Sequence, residues 1–231
     1  MGFDKARILG IDLIEADTEE SLKTVEEIYM EAFPAIERKP FPLLVEAQAR
    51  KDVEILMVKW SKDGGRTANM VCRNDGTAER IPEESLRDEV GKLHDTKTDI
   101  LGEIILAGYG DVVLLDYFAI APAFRGQGIG EKVLVELQKR CKGKRLVLEI
   151  ESTKVEADNL KQRLSRKAFY GRCGMRTLDY SVMVMGVEME VLIFGCDVGF
   201  EEYHAVYRQV FGEEIGAQIR RVSGKGENND T

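Results

Sequence analysis

Residues 114–130 read LLDYFAIAPAFRGQGIG, an apolar strand-like run that is followed by three alternating glycines. The chain bends at Pro122, and after Gly130 apolar residues recur at helical spacing. Glycines at a helix N-terminus let backbone N–H groups approach a bound anion, which the helix dipole also attracts. Arg125 adds a guanidinium that suits phosphate oxygens. The run therefore predicts a pyrophosphate site.

Three kinds of phosphate site compete for this turn. A P-loop needs G-x-x-x-x-G-K-[ST], which residues 126–130 do not supply. In the dinucleotide fingerprint G-x-G-x-x-G, the third glycine would fall at position 131, where this chain has Glu131. Glu149 and Glu151 do lie near the downstream position at which that fingerprint requires an acidic residue. The third kind is an acyl-CoA site, in which R-x-x-G-x-G follows a strand whose exposed backbone pairs with pantetheine. The dinucleotide and acyl-CoA interpretations both stay open on these residues alone.

At these positions the chain resembles the GCN5-related N-acetyltransferase (GNAT) superfamily. The family signature R-x-x-G-x-G is complete at Arg125, Gly128 and Gly130, and the family's earlier proline is Pro122. The segment AFYGRCGM at 168–175 is similar to the family's A-x-x-F-Y-x-x-x-G-F ending. A helix, a strand and a second helix are predicted between the two motifs, as in the family.

The resemblance implies an α/β (α+β) fold, with a mixed, mostly antiparallel twisted sheet flanked by helices. It also implies acetyl-CoA as the cofactor, no metal, and direct transfer of the acetyl group to a bound amine. We expect the GNAT domain at 1–195, with an insertion at 66–98. A helical C-terminal extension at 196–222 and a disordered tail at 223–231 complete the expected organisation.

Roles for individual residues follow from the resemblance. The main chain of Phe118 and Ile120 would pair with pantetheine, and Tyr170 would protonate the departing thiolate. Asn159 is the nearest candidate for the family's asparagine contact to CoA, because Arg163 occupies the usual place. The backbone amides that would hold the CoA pyrophosphate are those of Arg125, Gly126, Gln127, Gly128, Ile129 and Gly130.

The acceptor side of the site rests on carboxylates. An alkyl ammonium has a pKa of about 10.4, so it must lose a proton before it attacks a thioester. The resemblance places Asp116 beside the acceptor amine, where an aspartate of ordinary pKa would orient the ammonium and one with a raised pKa would act as a base. Glu37, Glu149 and Glu151 are further candidate substrate contacts, and a solvated surface position is the alternative for each.

Charge and cysteine content limit the partners. The chain has 33 basic and 41 acidic residues, a net charge of −8, which argues against nucleic acid and suits a cationic substrate. It lacks an apolar run of about 18 residues and a secretory signal, so we expect no membrane span and a cytoplasmic location. Four scattered cysteines and two histidines predict buried, reduced thiols rather than a metal site.

Two functions remain in view. The first is an acetyl-CoA-dependent N-acetyltransferase that acts on a primary amine of a small molecule or peptide, with a homodimer as one option for its assembly. The alternative is a non-catalytic acyl-CoA-binding sensor or assembly module with the same fold. The intact Tyr170 favours the enzyme, and the arginine at the asparagine position favours the alternative.

Local patterns predict the elements around these motifs. The predicted strands are at 8–14, 53–60, 100–106, 112–120, 145–151, 176–184 and 187–194. The first predicted helix starts with a capping box at Asp17 and Glu20. Further helices are predicted at 43–51, 83–93 and 128–142, another ends near Cys173, and the last covers 200–222 with a break at Gly212.

Overall fold

The computed structural model describes residues 10–61, 70–72, 78–80 and 100–222 of the 231-residue chain. The predicted helix at 83–93 and the predicted disordered tail at 223–231 lie outside the described residues. Of the insertion predicted at 66–98, the structure describes two strands of three residues each.

Ten strands are described: β1 Ile11–Glu15, β2 Val53–Trp60, β3 Met70–Cys72, β4 Ala78–Arg80, β5 Ile100–Tyr109, β6 Val112–Ile120, β7 Arg145–Glu151, β8 Arg176–Val184, β9 Val187–Phe194 and β10 Ile219–Val222. Eight of them form one sheet in the order β1-β2-β5-β6-β7-β9-β8-β10, and β3 pairs with β4 separately. β6 and β7 run parallel, whereas the β1–β2, β7–β9, β8–β9 and β8–β10 pairs are antiparallel. The predicted bounds of β2 and of β6 to β9 agree with the structure.

The described helices are α1 Glu19–Ala32, α2 Phe41–Ala49, α3 Ile129–Arg140, α4 Leu160–Arg172, α5 Phe200–Phe211 and α6 Glu213–Gly216. Single 3-10 turns lie at Ala35–Glu37 and Pro122–Phe124. A mixed, mostly antiparallel sheet with several helices confirms the predicted fold class. Within the described ranges, no helix combines the length and the apolar composition that crossing a membrane requires.

The cap of α1 differs from the predicted one. Thr18 Oγ1 accepts a hydrogen bond from Ser21 N–H at 3.1 Å, and Ser21 Oγ accepts one from Thr18 N–H at 3.0 Å. This reciprocal pair satisfies backbone donors that the first helical turn leaves without partners. The predicted box at Asp17 and Glu20 is wrong by one position, because a serine takes the part that the pattern gives to glutamate.

Contacts group the chain into two units. The first unit comprises Met1–Ala32, Leu56–Ile104 and Phe118–Leu137, and the second comprises Phe33–Ile55, Ile105–Tyr117 and Gln138–Thr231.

In the first unit, a close approach of two backbones fixes the end of β6. A Cβ atom on Gly102 of β5 would lie 2.1 Å from the carbonyl oxygen of Ala119, so only glycine fits there. Ala121 N–H donates to the Leu101 carbonyl at 2.8 Å just beyond this point. The chain therefore leaves the sheet at a defined place before the glycine turn.

In the second unit, the parallel pairing of β6 with β7 is short. It covers three residue pairs and ends with Leu114 opposite Val147. β7 nevertheless continues to Glu151 and remains paired with β9 along its other edge. The sheet therefore opens between β6 and β7 from Leu114 and Val147 onward.

The C-terminal extension is helical in α5 and α6 and then returns to the sheet. The prediction of helix up to Val222 is wrong, because Ile219–Val222 form β10 and pair antiparallel with β8. Gly212, with φ of +87°, ends α5 and lets the chain turn back. One stripe of α5 is buried, consisting of Tyr203, Val206, Tyr207, Val210 and Phe211.

Candidate active site

The glycine turn leads from β6 into α3 within the first unit. The 3-10 turn Pro122–Phe124 is followed by Arg125 in extended conformation. Gly126 and Gly128 then adopt φ of +73° and +75°, a region that residues with a Cβ atom rarely enter. α3 begins directly afterwards at Ile129. The conformation that the glycine pattern predicts is therefore present.

This turn presents a row of five backbone donors. Within the described part of the chain, the N–H groups of Gly126, Gln127, Gly128, Ile129 and Gly130 have no hydrogen-bond acceptor. A Cβ atom on Gly126 or Gly128 would meet nothing within 4 Å, so the space in front of the turn is open. Open amides at the positive end of a helix match the needs of a diphosphate. The residues present therefore fit the pyrophosphate of CoA.

Two side chains of the turn brace it from within. Arg125 Nε donates to the Ile120 carbonyl at 2.7 Å, and Gln127 Nε2 donates to the Ala123 carbonyl at 3.1 Å. Arg125 thus ties the turn to the end of β6 through the nitrogen nearest its stem. Phe118 and Ile120 are both partly exposed on β6. Their pairing with pantetheine stays a prediction.

Tyr170 lies near the end of α4 in the second unit. Its side chain is buried, and its ring packs edge-on against Phe169 with centroids 5.1 Å apart. The hydroxyl makes no hydrogen bond within the described residues. Burial raises the pKa of Tyr170 to about 12. The phenol is therefore protonated at neutral pH and its proton is available.

The side chain of Asp116 is paired with an amine of the protein itself. Lys39 Nζ lies 2.7 Å from Asp116 Oδ1, and each side chain is 3% exposed. Burial raises the pKa of Asp116, and the charge of Lys39 opposes that rise. Because the residue as a whole is partly exposed, the accessible atoms of Asp116 belong to its main chain. The contact predicted between Asp116 and an acceptor amine is made here by Lys39.

Aromatic rings surround the Lys39 ammonium. Nζ lies 5.1 Å from the ring centre of Tyr117, 5.0 Å from that of Tyr207 and 4.7 Å from that of Phe211. The Tyr117 hydroxyl accepts from Lys39 N–H and donates to the Glu37 carbonyl, each at 2.9 Å. Aromatic faces attract a cation, most strongly when water is excluded. Lys39 is therefore held by one carboxylate and a cage of rings.

Glu149 lies on β7, and the charges of Asp116 and Lys39 both affect its pKa. Its Oε1 accepts hydrogen bonds from the hydroxyls of Tyr203 and Tyr207, the latter at 2.8 Å. Burial raises the pKa of Glu149 to about 6; the two tyrosines and Lys39 oppose the rise, and Asp116 adds to it. A solvated surface position, the alternative considered from the sequence, is wrong for Glu149.

The remaining predicted acids and the candidate asparagine form a network with α4. Glu151 lies 2.8 Å from Arg163 Nη2 and 3.2 Å from Arg166 Nη1. The Asn159 amide donates to Glu151 at 3.1 Å and accepts from Arg163 Nε at 2.7 Å. Burial, then the charge of Glu151, raises the pKa of Glu37. The predicted contact of Asn159 with CoA and the substrate contacts of Glu37 and Glu151 stay predictions.

Metal ligands are not grouped in the part of the chain that the structure describes. No set of three or more histidine, cysteine, aspartate or glutamate side chains there could hold a metal ion. Cys141 and Cys196 form no disulfide within the described residues. Cys141 is buried as predicted, whereas Cys196 is exposed, so the prediction of buried thiols is wrong for Cys196.

Five residues that surround Asp116 and Glu149 were not predicted as site residues from the sequence: Lys39, Tyr117, Tyr203, Tyr207 and Phe211. One signal was available, since Tyr203, Tyr207 and Phe211 recur every four residues along a predicted helix and mark one face. Lys39 gives no such signal, because it stands alone in a proline-flanked segment.

Comparison with known proteins is consistent with this geometry. The family model of the acetyltransferase (GNAT) domain matches residues 92–176, which include both the glycine turn and Tyr170. A search of the curated proteins finds no match. A solved GNAT-family protein from Bacteroides thetaiotaomicron is 20% identical with a TM-score of 0.57, covering 88% of this chain and 98% of its own.

Two further solved structures share the fold at lower identity. A GNAT-family protein from Desulfovibrio desulfuricans is 12% identical with a TM-score of 0.52, covering 80% of this chain and 98% of its own. An aminoglycoside 6′-N-acetyltransferase, solved with coenzyme A, is 10% identical with a TM-score of 0.50, covering 80% and 95%. The acetyltransferase (GNAT) model therefore matches residues 92–176, and the chain shares the fold of these solved proteins over at least 80% of its length.

Proposed function

We propose that the protein is an acetyl-CoA-dependent N-acetyltransferase that acts on a primary amine of a small molecule or a peptide. The row of five amide donors from Gly126 to Gly130 carries this proposal. It supplies directed donors and the positive end of a helix, which a diphosphate requires. A P-loop lysine is absent and Glu131 stands at the third glycine position of the dinucleotide fingerprint, so CoA is the diphosphate we expect.

The chain's own residues would divide the work as follows. The amides of the glycine turn hold the pyrophosphate, and the main chain of Phe118 and Ile120 pairs with pantetheine. Bound acetyl-CoA supplies an activated thioester. During transfer the carbon–nitrogen bond forms and the carbon–sulfur bond breaks, so nitrogen loses protons and sulfur needs one. Tyr170 gives its hydroxyl proton to sulfur and is reprotonated by the proton that leaves the new amide nitrogen.

A second function has one observation in its favour. Asp116, the predicted contact of the acceptor amine, is already bound by Lys39. A protein whose acceptor position is filled by its own amine would bind acyl-CoA without turning it over. This is the sensor or assembly module considered from the sequence.

Binding and turnover assays separate the two functions. We expect calorimetry to detect saturable acetyl-CoA binding and a thiol-release assay to detect turnover with members of an amine panel. Tyr170→Phe should lower kcat about 100-fold, the lower range for loss of a general acid, and leave CoA binding unchanged. Tyr109→Phe, at an exposed tyrosine, is the matched control. Binding without turnover on any amine favours the sensor, and absence of binding refutes both functions.

The domain bounds, a homodimer, the absence of a nucleic-acid partner and the cytoplasmic location stay predictions from the sequence. Size-exclusion chromatography with light scattering tests the homodimer directly.

A further inference from the structure

Resting on the acetyltransferase activity proposed above, we infer that Glu149 is the base that takes a proton from the acceptor ammonium. We further infer that Tyr203 and Tyr207 of the C-terminal helix position it for that step. Asp116, the acid that the sequence favours as the acceptor contact, is instead paired with Lys39.

The two oxygens of the Glu149 carboxylate are in different situations. Both tyrosine hydroxyls converge on Oε1. Oε2 receives no hydrogen bond within the described residues, and Glu149 as a whole is partly exposed. Two bonds to one oxygen fix the rotation of the carboxylate, since a carboxylate accepts along defined lone-pair directions. One oxygen is therefore anchored and the other is available to an incoming group.

The place of Glu149 in the sheet suits this part. β6 and β7 stop pairing at Leu114 and Val147, and Glu149 lies two residues further along β7. Across the opening, the main chain of Asp116 is accessible. A cleft where strands separate offers a substrate both backbone groups and side chains. Glu149 Oε2 is a carboxylate oxygen at that opening.

The neighbouring acids are already neutralised. Asp116 has Lys39 at 2.7 Å, and Glu151 has Arg163 at 2.8 Å. Glu149 has hydroxyls as partners and no cation at ion-pair distance within the described chain. A cationic acceptor would gain most from the carboxylate that has no cation of its own. Of these three acids, that is Glu149.

The groups that face Glu149 tune its basicity. Burial has the largest effect and raises the pKa of Glu149 to about 6. Asp116 on β6 also raises this pKa, whereas Lys39 and the hydrogen bonds from Tyr203 and Tyr207 on α5 lower it. Tyr180 on β8 also lies within electrostatic reach of Glu149. A carboxylate of this pKa is ionised at neutral pH and is a stronger base than an ordinary glutamate.

The proposed step is a single proton transfer. The acceptor R–NH₃⁺ gives one proton to Glu149 Oε2, which leaves a lone pair on nitrogen and a neutral carboxyl group on Glu149. The lone pair then forms the carbon–nitrogen bond as described above. Glu149 returns its proton to solvent and is ionised again for the next turnover.

Variants of Glu149 test the base directly. Glu149→Gln keeps the shape and the acceptor oxygen for the tyrosines, and should lower kcat about 100-fold with acetyl-CoA affinity unchanged. In Glu149→Ala, added formate or acetate should restore turnover in proportion to its concentration, because a small carboxylate can occupy the vacated place. Glu54→Gln, which removes a carboxylate from an exposed ion pair, should behave as wild type.

Variants of the tyrosines test the positioning. Tyr203→Phe and Tyr207→Phe each remove a hydrogen bond to the ionised carboxylate, so the pKa of Glu149 should rise. In the pH profile of kcat/KM, the acidic limb should then move to higher pH. A purely structural role of the tyrosines would lower kcat/KM without moving this limb. Thermal unfolding and calorimetry with acetyl-CoA confirm that each variant is folded.

The outcomes distinguish this inference from the proposed function. If the wild-type protein acetylates no amine, the proposed function fails and this inference fails with it. If the wild type is active and Glu149→Gln is equally active, only the inference fails. It also fails if carboxylates do not rescue Glu149→Ala, or if the acidic limb stays in place in both tyrosine variants.

Discussion

Replacing Lys39 with methionine removes the cation from the buried pair and keeps a side chain of similar length. Both side chains are 3% exposed, so water cannot replace the ammonium beside Asp116. Breaking a buried pair on one side costs about 3–5 kcal/mol. Protonation of Asp116 limits the loss, and bringing a carboxyl group of pKa about 3.9 to its neutral form at pH 7 requires about 4 kcal/mol. We expect the unfolding free energy of Lys39→Met to fall by about 4 kcal/mol at pH 7.

The sign of the pH dependence follows from the same carboxylate. Without Lys39, the pKa of Asp116 in the folded variant lies above its value in the unfolded chain. Folding then takes up a proton, so the variant is most stable at low pH and loses stability as pH rises through the folded pKa. Between the folded pKa of Asp116 in the wild type and that in the variant, the deficit should shrink by about 1.4 kcal/mol for each unit that the pH falls.

Urea unfolding of a double-mutant cycle measures this effect. Lys39→Met, Asp116→Asn and the double variant are compared at about pH 5 and about pH 7. The double variant should be more stable than Lys39→Met, because it buries no uncompensated charge. Arg140→Met, which breaks an exposed pair with Glu54, should cost at most about 1 kcal/mol. If Lys39→Met lowered the unfolding free energy as little as Arg140→Met does, the predicted role of the buried pair would be refuted. The same holds if Lys39→Met cost as much in the Asp116→Asn background as in the wild type.

Three further predictions concern the backbone. Gly128→Ala should weaken acetyl-CoA binding in calorimetry, because a Cβ atom at φ of +75° distorts the amide row; Gly143→Ala, at φ of +85° outside the turn, should leave affinity unchanged. Gly102→Ala should lower the unfolding free energy by about 3 kcal/mol, since its Cβ atom would overlap a carbonyl oxygen of β6, and an unchanged urea midpoint would contradict this close approach. Thr18→Ala should cost about 1 kcal/mol through loss of the α1 cap, and a variant as stable as wild type would show that the cap contributes nothing.

Local sequence patterns predicted most of the sheet and the glycine turn. β6 and β7 were predicted with their observed bounds, because apolar and β-branched residues dominate both and turn residues flank them. The turn at 126–130 was predictable because glycines with positive φ leave few alternatives. Helix ends were less accurate: α3 is shorter than the predicted 128–142, since the last apolar position does not mark the last helical hydrogen bond.

The polar cluster around Asp116 could not be predicted in the same way. Lys39 and Asp116 are 77 positions apart, and Tyr207 and Glu149 are 58 apart. Each residue has ordinary neighbours in the sequence, and their pairing arises only from tertiary packing. A buried lysine is also rare, so a lysine in a polar segment is expected to be solvated. The prediction that Asp116 contacts the acceptor amine did not include this long-range partner.

At the C-terminus, apolar periodicity predicted a helix that is longer than the one observed. Ile215 and Ile219 continue the apolar spacing of α5 and favour a longer helix. The chain instead ends α5 at Gly212 and forms β10, because the edge of β8 offers hydrogen-bond partners that a surface helix would not use.

The hydroxyls that α5 donates to Glu149 make the residues after 195 necessary for the polar interior of the second unit. A protein ended after residue 195 would keep the glycine turn, Tyr170 and every strand from β1 to β9, yet Glu149 would lose both of its donors and Lys39 two of its rings. Residues 92–176 alone, which the family model matches, would therefore contain the glycine turn and Glu149 without the tyrosines that donate to Glu149. A shortened version of this protein has to extend through Phe211 to keep these contacts.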